Sequence, residues 1–374
     1  MQFWKKMVPV SFFLFLVMTA VTLVFKPDAD ISRTERRRLA QQPKLSVEAV
    51  LSGTYGEKME SYLQDQLPGR NLYRIIKTET ETRVFRKSDA NGYVQLDGSI
   101  YKINNELNEA NVRRAAEQFS AIAEELSENA TAYYALIPNR TYFLTDEMLE
   151  TEKMMSNDEV IRQLMQENMK GVSYIDLYGL LDGGDYYRTD LHWKQEKIPD
   201  VADTLLLAMQ SGEQEMSGDA EEPYQMKMAE ESFYGGYAGA SAFLVKPETM
   251  YYLTNTTIEN ATVYDYEKKQ EVPVYAPECL AGTDPYDFYL WGARALLSIK
   301  NPQQENGKKL LLFRDSFGSS LAPLLIEGYS EITLVDLRYI SADYLKTQID
   351  VTSYDTVLFL YSTELINHSD SLRF

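Results

Sequence analysis

The sequence predicts an α/β protein in which helices cover both faces of a mainly parallel sheet. Apolar, β-rich runs that are typical of buried strands alternate with stretches whose apolar residues recur at helical spacing. Strands separated by helices favour a parallel sheet, because a parallel connection has to cross back over the sheet. Of the 374 residues, 44% are hydrophobic, which is sufficient for a large buried core.

The N-terminal element is predicted to be an apolar helix that follows two lysines. Lys5 and Lys6 precede a mostly apolar run at residues 7–25. A helix of this length would extend about 28 Å, close to the thickness of the hydrocarbon core of a bilayer. The sequence therefore predicts a membrane anchor at residues 1–27, with the N-terminus in the cytoplasm and the rest of the chain outside. A cleaved signal peptide is the alternative, although no small-residue cleavage site follows Phe25.

Residues 28–92 are predicted to form a linker followed by helices. The first part of this region is charged, and residues 46–85 have helical character on both sides of a break at Pro68-Gly69. The remainder, residues 93–374, is predicted to be the α/β domain. It begins with a hairpin at residues 94–103.

The α/β domain continues as alternating helices and strands. Periodicity predicts helices at 106–126, 158–169, 201–209 and 319–326, and strands at 131–137, 172–175, 309–313, 331–335 and 356–361. The acidic stretch 211–231 is predicted to be an exposed loop. Residues from about 232 to 276 are rich in Tyr, Thr, Val and Gly with alternating polarity, which predicts an antiparallel β-rich insertion outside the α/β layers.

Two short segments predict a relay of nucleophile, base and carboxylate. Asp190 and His192 are two positions apart, so in an extended segment both side chains project to the same side and can meet. Ser316 follows the strand predicted at 309–313 and precedes a predicted helix, a turn that presents a serine hydroxyl at the rim of a sheet. A serine hydroxyl becomes a good nucleophile when an imidazole oriented by a carboxylate takes its proton. A capping role for Ser316 and a structural role for His192 are the alternatives.

Further candidates for binding an oxyanion or a substrate lie near predicted strand ends. The backbone at Ser316 and Gly318 would supply amide donors. Three more candidates each follow the end of a predicted strand: Asn139, Arg338 and Ser362. In parallel sheets, catalytic and ligand-binding residues usually lie at the carboxyl ends of the strands. A structural ion pair is the alternative for Arg338, and a Pro-Asn turn is the alternative for Asn139.

The composition excludes several classes of function. A net charge of −19 without a basic stripe makes nucleic acid an improbable partner. Cys279 is the single cysteine and His192 and His368 are the two histidines, so we expect neither a metal site nor a metal cofactor. No organic cofactor is expected either.

The segments around these candidates resemble a known family. Residues 186–193, with Asp190-Leu191-His192-Trp193, resemble the motif that names the DHHW family. The blocks at 313–318 and 335–339 resemble its C-terminal region, and 53–70 resembles its N-terminal region. Two departures from the family pattern are Leu191 at the first histidine of the motif and Ala293 where an asparagine is expected.

The family is similar to SGNH-hydrolase-like proteins that acetylate alginate and other extracellular polysaccharides. The resemblance implies a flavodoxin-like α/β/α sandwich with a circularly permuted motif order. It also implies Ser316 as nucleophile, His192 as base and Asp190 as the orienting carboxylate. The expected activity is O-acetyl transfer or acetyl-ester hydrolysis on a cell-surface polysaccharide, with a membrane-bound O-acyltransferase as donor. A non-catalytic glycan-binding or assembly protein, and an anchored scaffold for an envelope complex, remain as alternatives.

Overall fold

A computed structural model describes residues 2–103, 106–126, 130–151, 154–210, 223–304 and 306–374. In these residues the helices are α1 (Gln2–Phe25), α2 (Val47–Leu51), α3 (Thr54–Gln66), α4 (Arg70–Glu79), α5 (Glu109–Leu126), α6 (Asp146–Thr151), α7 (Asp158–Asn168), α8 (Pro199–Gln210), α9 (Gly236–Ser241), α10 (Thr256–Asn260), α11 (Phe317–Leu321), α12 (Ala342–Gln348) and α13 (Thr363–Asn367). The strands are β1 (Ile31–Ser32), β2 (Arg37–Arg38), β3 (Tyr93–Leu96), β4 (Ser99–Lys102), β5 (Thr131–Ile137), β6 (Ser173–Ile175), β7 (Gln225–Phe233), β8 (Glu248–Thr254), β9 (Thr262–Asp265), β10 (Gln270–Pro273), β11 (Leu296–Lys300), β12 (Lys309–Arg314), β13 (Glu331–Val335) and β14 (Thr356–Ser362).

The chain divides into two compact units, of which the smaller comprises Met1–Gly92 and Ala238–Val245. It contains α1 to α4 and the paired strands β1 and β2. Helix α4 is joined to the later segment by hydrogen bonds from the Arg74 guanidinium to the Gly239 carbonyl (2.7 Å) and from the Thr78 hydroxyl to the Ser241 carbonyl (2.9 Å). The helices predicted at residues 46–85 are present, with α3 ending just before Pro68-Gly69.

Helix α1 covers the apolar N-terminal run. Ser11, Thr19 and Thr22 stand among its apolar residues, and the Ser11 and Thr22 hydroxyls donate to carbonyls of the preceding turn. In the described part of the chain, no helix combines the length and the hydropathy that a membrane crossing requires. The membrane anchor predicted at residues 1–27 is not confirmed.

The larger unit comprises Tyr93–Tyr237 and Lys246–Phe374 and is built on an eight-stranded sheet. The strand order is β10-β9-β11-β13-β12-β14-β5-β6. Strands β13, β12, β14, β5 and β6 are parallel, and β11, β9 and β10 continue the sheet with antiparallel pairs. The predicted α/β class with a mainly parallel sheet is confirmed.

A hydrophobic core covers each face of this sheet. Alternate residues of a strand point to opposite faces, so Leu310 and Leu312 join one core while Leu311 and Phe313 join the other. Helix α8 and the segment 317–326 cover the first face, and α5 and α7 cover the second. Residues near the carboxyl ends of the central strands, such as Phe313 and Leu360, are buried in these cores.

Two segments differ from the sequence-based expectation. The loop predicted at 211–231 lies partly outside the described residues, and its later part forms β7 instead, paired with β8. Strand β7 is mostly exposed, so its sequence lacks the apolar alternation that would have revealed it. The region predicted as a separate β-rich insertion contributes β8 to that pair, whereas β9 and β10 extend the central sheet.

Candidate active site

Ser316 lies at the edge of the sheet where the parallel strands end. Strand β12 ends at Arg314, and α11 begins at Phe317, so Ser316 occupies the turn between them. Its side chain is half-buried, whereas Arg314, Asp315 and Phe317 are buried. The hydroxyl is therefore held by a buried turn while one side stays accessible.

The buried carboxylate of Asp315 fixes this turn. Its Oδ1 accepts the N–H of Phe317 (3.1 Å), and its Oδ2 accepts the N–H (2.9 Å) and the hydroxyl (2.7 Å) of Ser362. Ser362 ends β14, the strand beside β12. The turn that carries Ser316 is thus tied to the neighbouring strand by charge-assisted hydrogen bonds, the stronger kind in proteins.

Asp190 and His192 lie in a tight turn between Tyr186 and Trp193, which form an antiparallel bridge. The Tyr187 N–H donates to the His192 carbonyl (3.0 Å) and closes this turn. The extended geometry expected from the sequence is therefore absent. Asp190 Oδ1 instead accepts both the His192 backbone N–H (3.1 Å) and the ring nitrogen Nδ1 (2.6 Å). Because aspartate side chains bond readily to the backbone two residues on, the turn itself brings the carboxylate to the ring.

Three side chains form one hydrogen-bonded line. His192 Nδ1 is 2.6 Å from Asp190 Oδ1, and His192 Nε2 is 2.8 Å from Ser316 Oγ. The Asp190 carboxylate favours the tautomer in which Nδ1 carries the proton and Nε2 accepts one. Asp190 and His192 are 0% and 4% exposed, so water competes little for these bonds. The arrangement can draw the hydroxyl proton of Ser316 onto His192.

Glu248, the first residue of β8, and the Gly235-Gly236 pair that follows β7 hold Thr189 and Asp190 in place. The buried Glu248 carboxylate accepts the backbone N–H of Thr189 (3.1 Å) and its hydroxyl (3.1 Å). The Thr189 hydroxyl in turn accepts the N–H of Gly235 (3.0 Å), and the N–H of Gly236 donates to Asp190 Oδ2 (2.7 Å). Both oxygens of Asp190 are therefore bonded, and its position is fixed from two sides.

The face of the His192 ring is covered by Tyr286. The two rings are parallel within 9°, with centroids 3.8 Å apart. The Tyr286 hydroxyl donates to Ser320 Oγ (2.8 Å), which also accepts the indole N–H of Trp193 (2.8 Å). Burial raises the pKa of Tyr286 well above its usual value, so the phenol is neutral and available as a donor.

The further oxyanion and substrate candidates predicted from the sequence form hydrogen bonds with residues other than Asp190, His192 and Ser316. The Gly318 N–H donates to the Asp315 carbonyl (3.1 Å). The Asn139 side chain accepts the N–H of Thr141 (3.1 Å) and donates to Glu364 (3.3 Å). Ser362 binds Asp315 as described above. Arg338 donates to the buried Asp336 (2.6 Å), and although burial lowers its pKa, this hydrogen bond raises the pKa overall.

A narrow cleft lies next to the line of three side chains. It has about 20 Å³ of free volume. Leu191 and Phe317, the immediate neighbours of His192 and Ser316, form part of its wall. Its more polar lining includes Asn139, Ser362, and Lys102, whose ammonium pairs with the Glu364 carboxylate (2.5 Å). The cleft thus brings Asn139 and Ser362, but not Gly318 or Arg338, to a surface beside the site.

Within the ranges that the structure describes, no group of three or more His, Cys, Asp or Glu side chains is placed to hold an ion.

Several residues of this site escaped the sequence-based reasoning. The fold alone brings Tyr286 onto His192, Glu248 to Thr189 and Ser320 to Trp193, and no local pattern marks these three residues. The pair Gly235-Gly236 carried a usable signal, since glycines in an otherwise β-rich stretch often mark close approach of another backbone. A Cβ added at Gly235 would lie 2.0 Å from the Thr189 carbonyl oxygen.

A family model described as DHHW protein matches residues 99–335 of the chain. No curated protein sequence matches it. A crystal structure of a DHHW family protein from Eubacterium siraeum is 21% identical, with a TM-score of 0.60 over 76% of this chain and 95% of that chain. Bacillus cereus PatB1 with a sulfonyl adduct is 17% identical, with a TM-score of 0.58 over 73% of this chain and 97% of that chain. The likeness to these two structures shows a shared fold.

Proposed function

The chain belongs to the DHHW family, and on that premise we propose that it is a serine-dependent enzyme that transfers or hydrolyses acyl groups. The single observation that carries the proposal is the line from Asp190 through His192 to Ser316, with separations of 2.6 and 2.8 Å. Hydrogen-bonded lines of this kind recur on unrelated folds that perform acyl transfer, so geometry rather than fold supports the assignment.

The first half of the reaction forms an acyl-serine. Ser316 Oγ attacks the carbonyl carbon of an ester while its proton moves to His192 Nε2, and the carbonyl electrons move onto the oxygen. The Asp190 carboxylate stabilises the imidazolium that results. When the tetrahedral intermediate collapses, the bond to the leaving alkoxide breaks, and His192 returns the proton to it.

We propose the Ser316 amide as a backbone donor to the oxyanion. The amides of Phe317 and Gly318 already donate to Asp315, so their bonds hold the turn rather than the substrate. Removal of one oxyanion donor typically costs about 10²–10³ in rate.

In the second half of the reaction an acceptor attacks the acyl-serine. His192 now takes the proton of the acceptor, either a sugar hydroxyl or water, and passes it to Ser316 as the acyl–oxygen bond breaks. Transfer and hydrolysis differ in whether the acceptor excludes water from the site. The cleft beside Leu191 and Phe317 is the place where we expect the substrate to enter.

We also propose a cell-surface polysaccharide as substrate, which accepts acetyl groups in transfer or carries the acetyl ester in hydrolysis. For transfer, we propose a membrane-bound O-acyltransferase as the donor of acetyl groups. This part of the proposal depends on the family resemblance. We further propose that the α/β unit acts outside the cytoplasm, since Lys5 and Lys6 followed by an apolar run are typical of export signals. Cell fractionation with a tagged chain tests the location, and a cytoplasmic tagged protein would contradict it.

The reaction is tested with a fluorophosphonate probe and with an aryl acetate. Wild-type protein should be labelled and should turn over the acetate, whereas Ser316→Ala should lose both activities. Ser319→Ala is the matched control, because Ser319 is buried nearby and its hydroxyl has no hydrogen-bond partner within the described residues. Added oligosaccharide acceptor separates transfer from hydrolysis. A probe that still labels Ser316→Ala would end the assignment of the nucleophile.

The same experiment distinguishes a non-catalytic glycan-binding protein. Such a protein would bind glycan equally well in the wild type and in Ser316→Ala, and it would turn over no acetyl ester. An acyl-enzyme detected on Ser316 by mass spectrometry is incompatible with that alternative.

A further inference from the structure

The His192 imidazole lies between two aromatic side chains. Tyr286 covers one face in a parallel stack, with centroids 3.8 Å apart and an angle of 9°. The Phe317 ring is tilted by 56° at 5.0 Å. Tyr286 is 3% exposed and His192 is 4% exposed, so the stacked pair is buried.

The Tyr286 ring is fixed at both of its ends. At the backbone, the Asp284 carboxylate accepts the Tyr286 N–H (2.9 Å) and begins the 3₁₀ turn Pro285–Phe288. At the other end, the Tyr286 hydroxyl donates to Ser320 Oγ (2.8 Å). Ser320 lies in α11, the helix that directly follows Ser316. The ring is therefore held in register with the turn that carries the candidate nucleophile.

Resting on the function proposed above, we propose that Tyr286 is a positioning residue for the His192 base. The flat contact keeps the imidazole in the plane that reaches Asp190 on one side and Ser316 on the other. The face of an aromatic ring carries negative electrostatic potential and attracts a cation above it. When the Ser316 proton moves to Nε2, the imidazole becomes a cation directly over that face. The Tyr286 ring thus favours the charged form that the acyl-transfer step creates.

The chain offers variants that separate the ring from its hydroxyl. Tyr286→Phe keeps the stacked face and removes the bond to Ser320. Tyr286→Leu and Tyr286→Met remove the face, and methionine fills more of the vacated space. Phe288→Leu is the matched control, because Phe288 belongs to the same turn, is 2% exposed and is stacked on Tyr275 rather than on His192.

The first readout is the rate at which a fluorophosphonate modifies Ser316. This reaction needs the base but no natural substrate. A desolvated cation–π contact corresponds to a fall of about 30-fold in Tyr286→Leu and Tyr286→Met. Tyr286→Phe and Phe288→Leu should stay within about 3-fold of the wild type. Wild-type rates in the leucine and methionine variants would overturn the proposal. So would a loss in Tyr286→Phe as large as in Tyr286→Leu, because the hydroxyl network would then be responsible.

The second readout is the proton spectrum of the imidazole rings. His192 and the exposed His368 are the two histidines of the chain, so their signals are readily assigned with His368→Gln. Protons above a stacked ring resonate upfield, and the His192 signals should show this shift in the wild type and in Tyr286→Phe. They should lose it in Tyr286→Met, while the His368 signals stay unchanged.

The modification rate and the proton spectrum together separate the role of Tyr286 from the proposed enzyme activity. A wild-type protein that no probe modifies would refute the enzyme, and the ring-current shift would still decide whether Tyr286 holds the imidazole. If the leucine and methionine variants do not fold, the wild type and Tyr286→Phe suffice for that measurement. His192 signals without an upfield shift in both proteins would overturn the positioning role.

Discussion

Substitution of Gly235 by alanine tests how closely the Asp190 turn is fitted to the segment that crosses it. An added Cβ would lie 2.0 Å from the Thr189 carbonyl oxygen, 2.2 Å from the Thr189 carbonyl carbon and 2.6 Å from Asp190 Cβ. Ordinary contact begins at 3.4 Å. The two backbones must therefore separate by about 1.4 Å, the difference between 3.4 and 2.0 Å. The obstacle is backbone, so no side-chain rotation relieves it.

The separation would act directly on the candidate relay. The Gly235 N–H bonds to the Thr189 hydroxyl, and the Gly236 N–H bonds to Asp190 Oδ2, so both contacts lengthen when the segments part. Asp190 then shifts relative to His192 Nδ1, now 2.6 Å away. A misplacement of about 1 Å in a catalytic group costs about 10²-fold in rate. We expect Gly235→Ala to lower kcat/KM for an aryl acetate by about 10²-fold.

The assay compares Gly235→Ala with Gly179→Ala. A Cβ at Gly179 would meet nothing within 4 Å, so this control should keep the wild-type rate. Near-UV circular dichroism and thermal unfolding establish that both variants are folded at the assay temperature. A folded Gly235→Ala protein with wild-type kcat/KM would refute the argument, because the turn would then tolerate the separation.

Two further predictions concern single carboxyl groups. Asp190→Asn should lower kcat by about 10³–10⁴-fold with a nearly unchanged KM, because an amide no longer selects the tautomer with a proton on Nδ1; steady-state kinetics checks this, and a loss below tenfold contradicts it. Glu196→Gln should raise the melting temperature at pH 7 by at most a few degrees and leave it unchanged near pH 4. Burial raises the pKa of the Glu196 carboxyl in the folded protein above its value in the unfolded chain. The folded protein therefore loses stability as the pH rises from the unfolded to the folded pKa, and glutamine, which cannot ionise, avoids this loss. If the wild type and Glu196→Gln had equal melting temperatures both at pH 7 and near pH 4, the raised pKa of Glu196 would be contradicted.

Much of the parallel sheet could be predicted because its strands are buried on both faces. Strands β5 and β13 have the bounds that their apolar runs predict, since an uninterrupted run ends where burial ends. The hairpin of β3 and β4 could also be predicted, because the pair Asp97-Gly98 is typical of a tight hairpin turn. Both residues adopt the positive φ values (47° and 77°) of such a turn.

The exposed and the non-local parts could not be predicted in the same way. Strand β7 is mostly exposed and acidic, so its pairing with β8 leaves no periodic apolar signal. Strand β9 has the alternation of an antiparallel strand, but its partner β11 is separated from it along the chain, and a local pattern contains no information about such a partner.

The candidate site divides along the same line. Asp190 and His192 could be predicted from the sequence because their contact is made within one turn. Ser316 could be predicted because a strand-to-helix turn has a recognisable pattern. That Ser316 Oγ lies 2.8 Å from His192 Nε2 is a property of the fold across a sequence separation of 124 residues. Glu248 and Tyr286 stabilise the same turn from distant segments, and neither lies in a motif.

The candidate nucleophile Ser316 and the candidate base His192 are held by separate hydrogen-bond networks, and this separation has a mechanical consequence. Asp315 and Ser362 fix the turn of Ser316, whereas Glu248 and the Gly235-Gly236 amides fix the turn of Asp190. The two turns meet at the bond between His192 and Ser316 and at Ser320, which accepts the indole N–H of Trp193.

Within the residues that the structure describes, few hydrogen bonds join the two turns, the Gln195 amide donating to the Ser320 carbonyl among them. We therefore expect strain in one network to move His192 relative to Ser316 before it disrupts the buried cores. Substitutions in either network should therefore reduce the reactivity of Ser316 more than they reduce the free energy of unfolding. In a site whose two turns were joined by many hydrogen bonds, the reactivity of Ser316 and the free energy of unfolding would fall together.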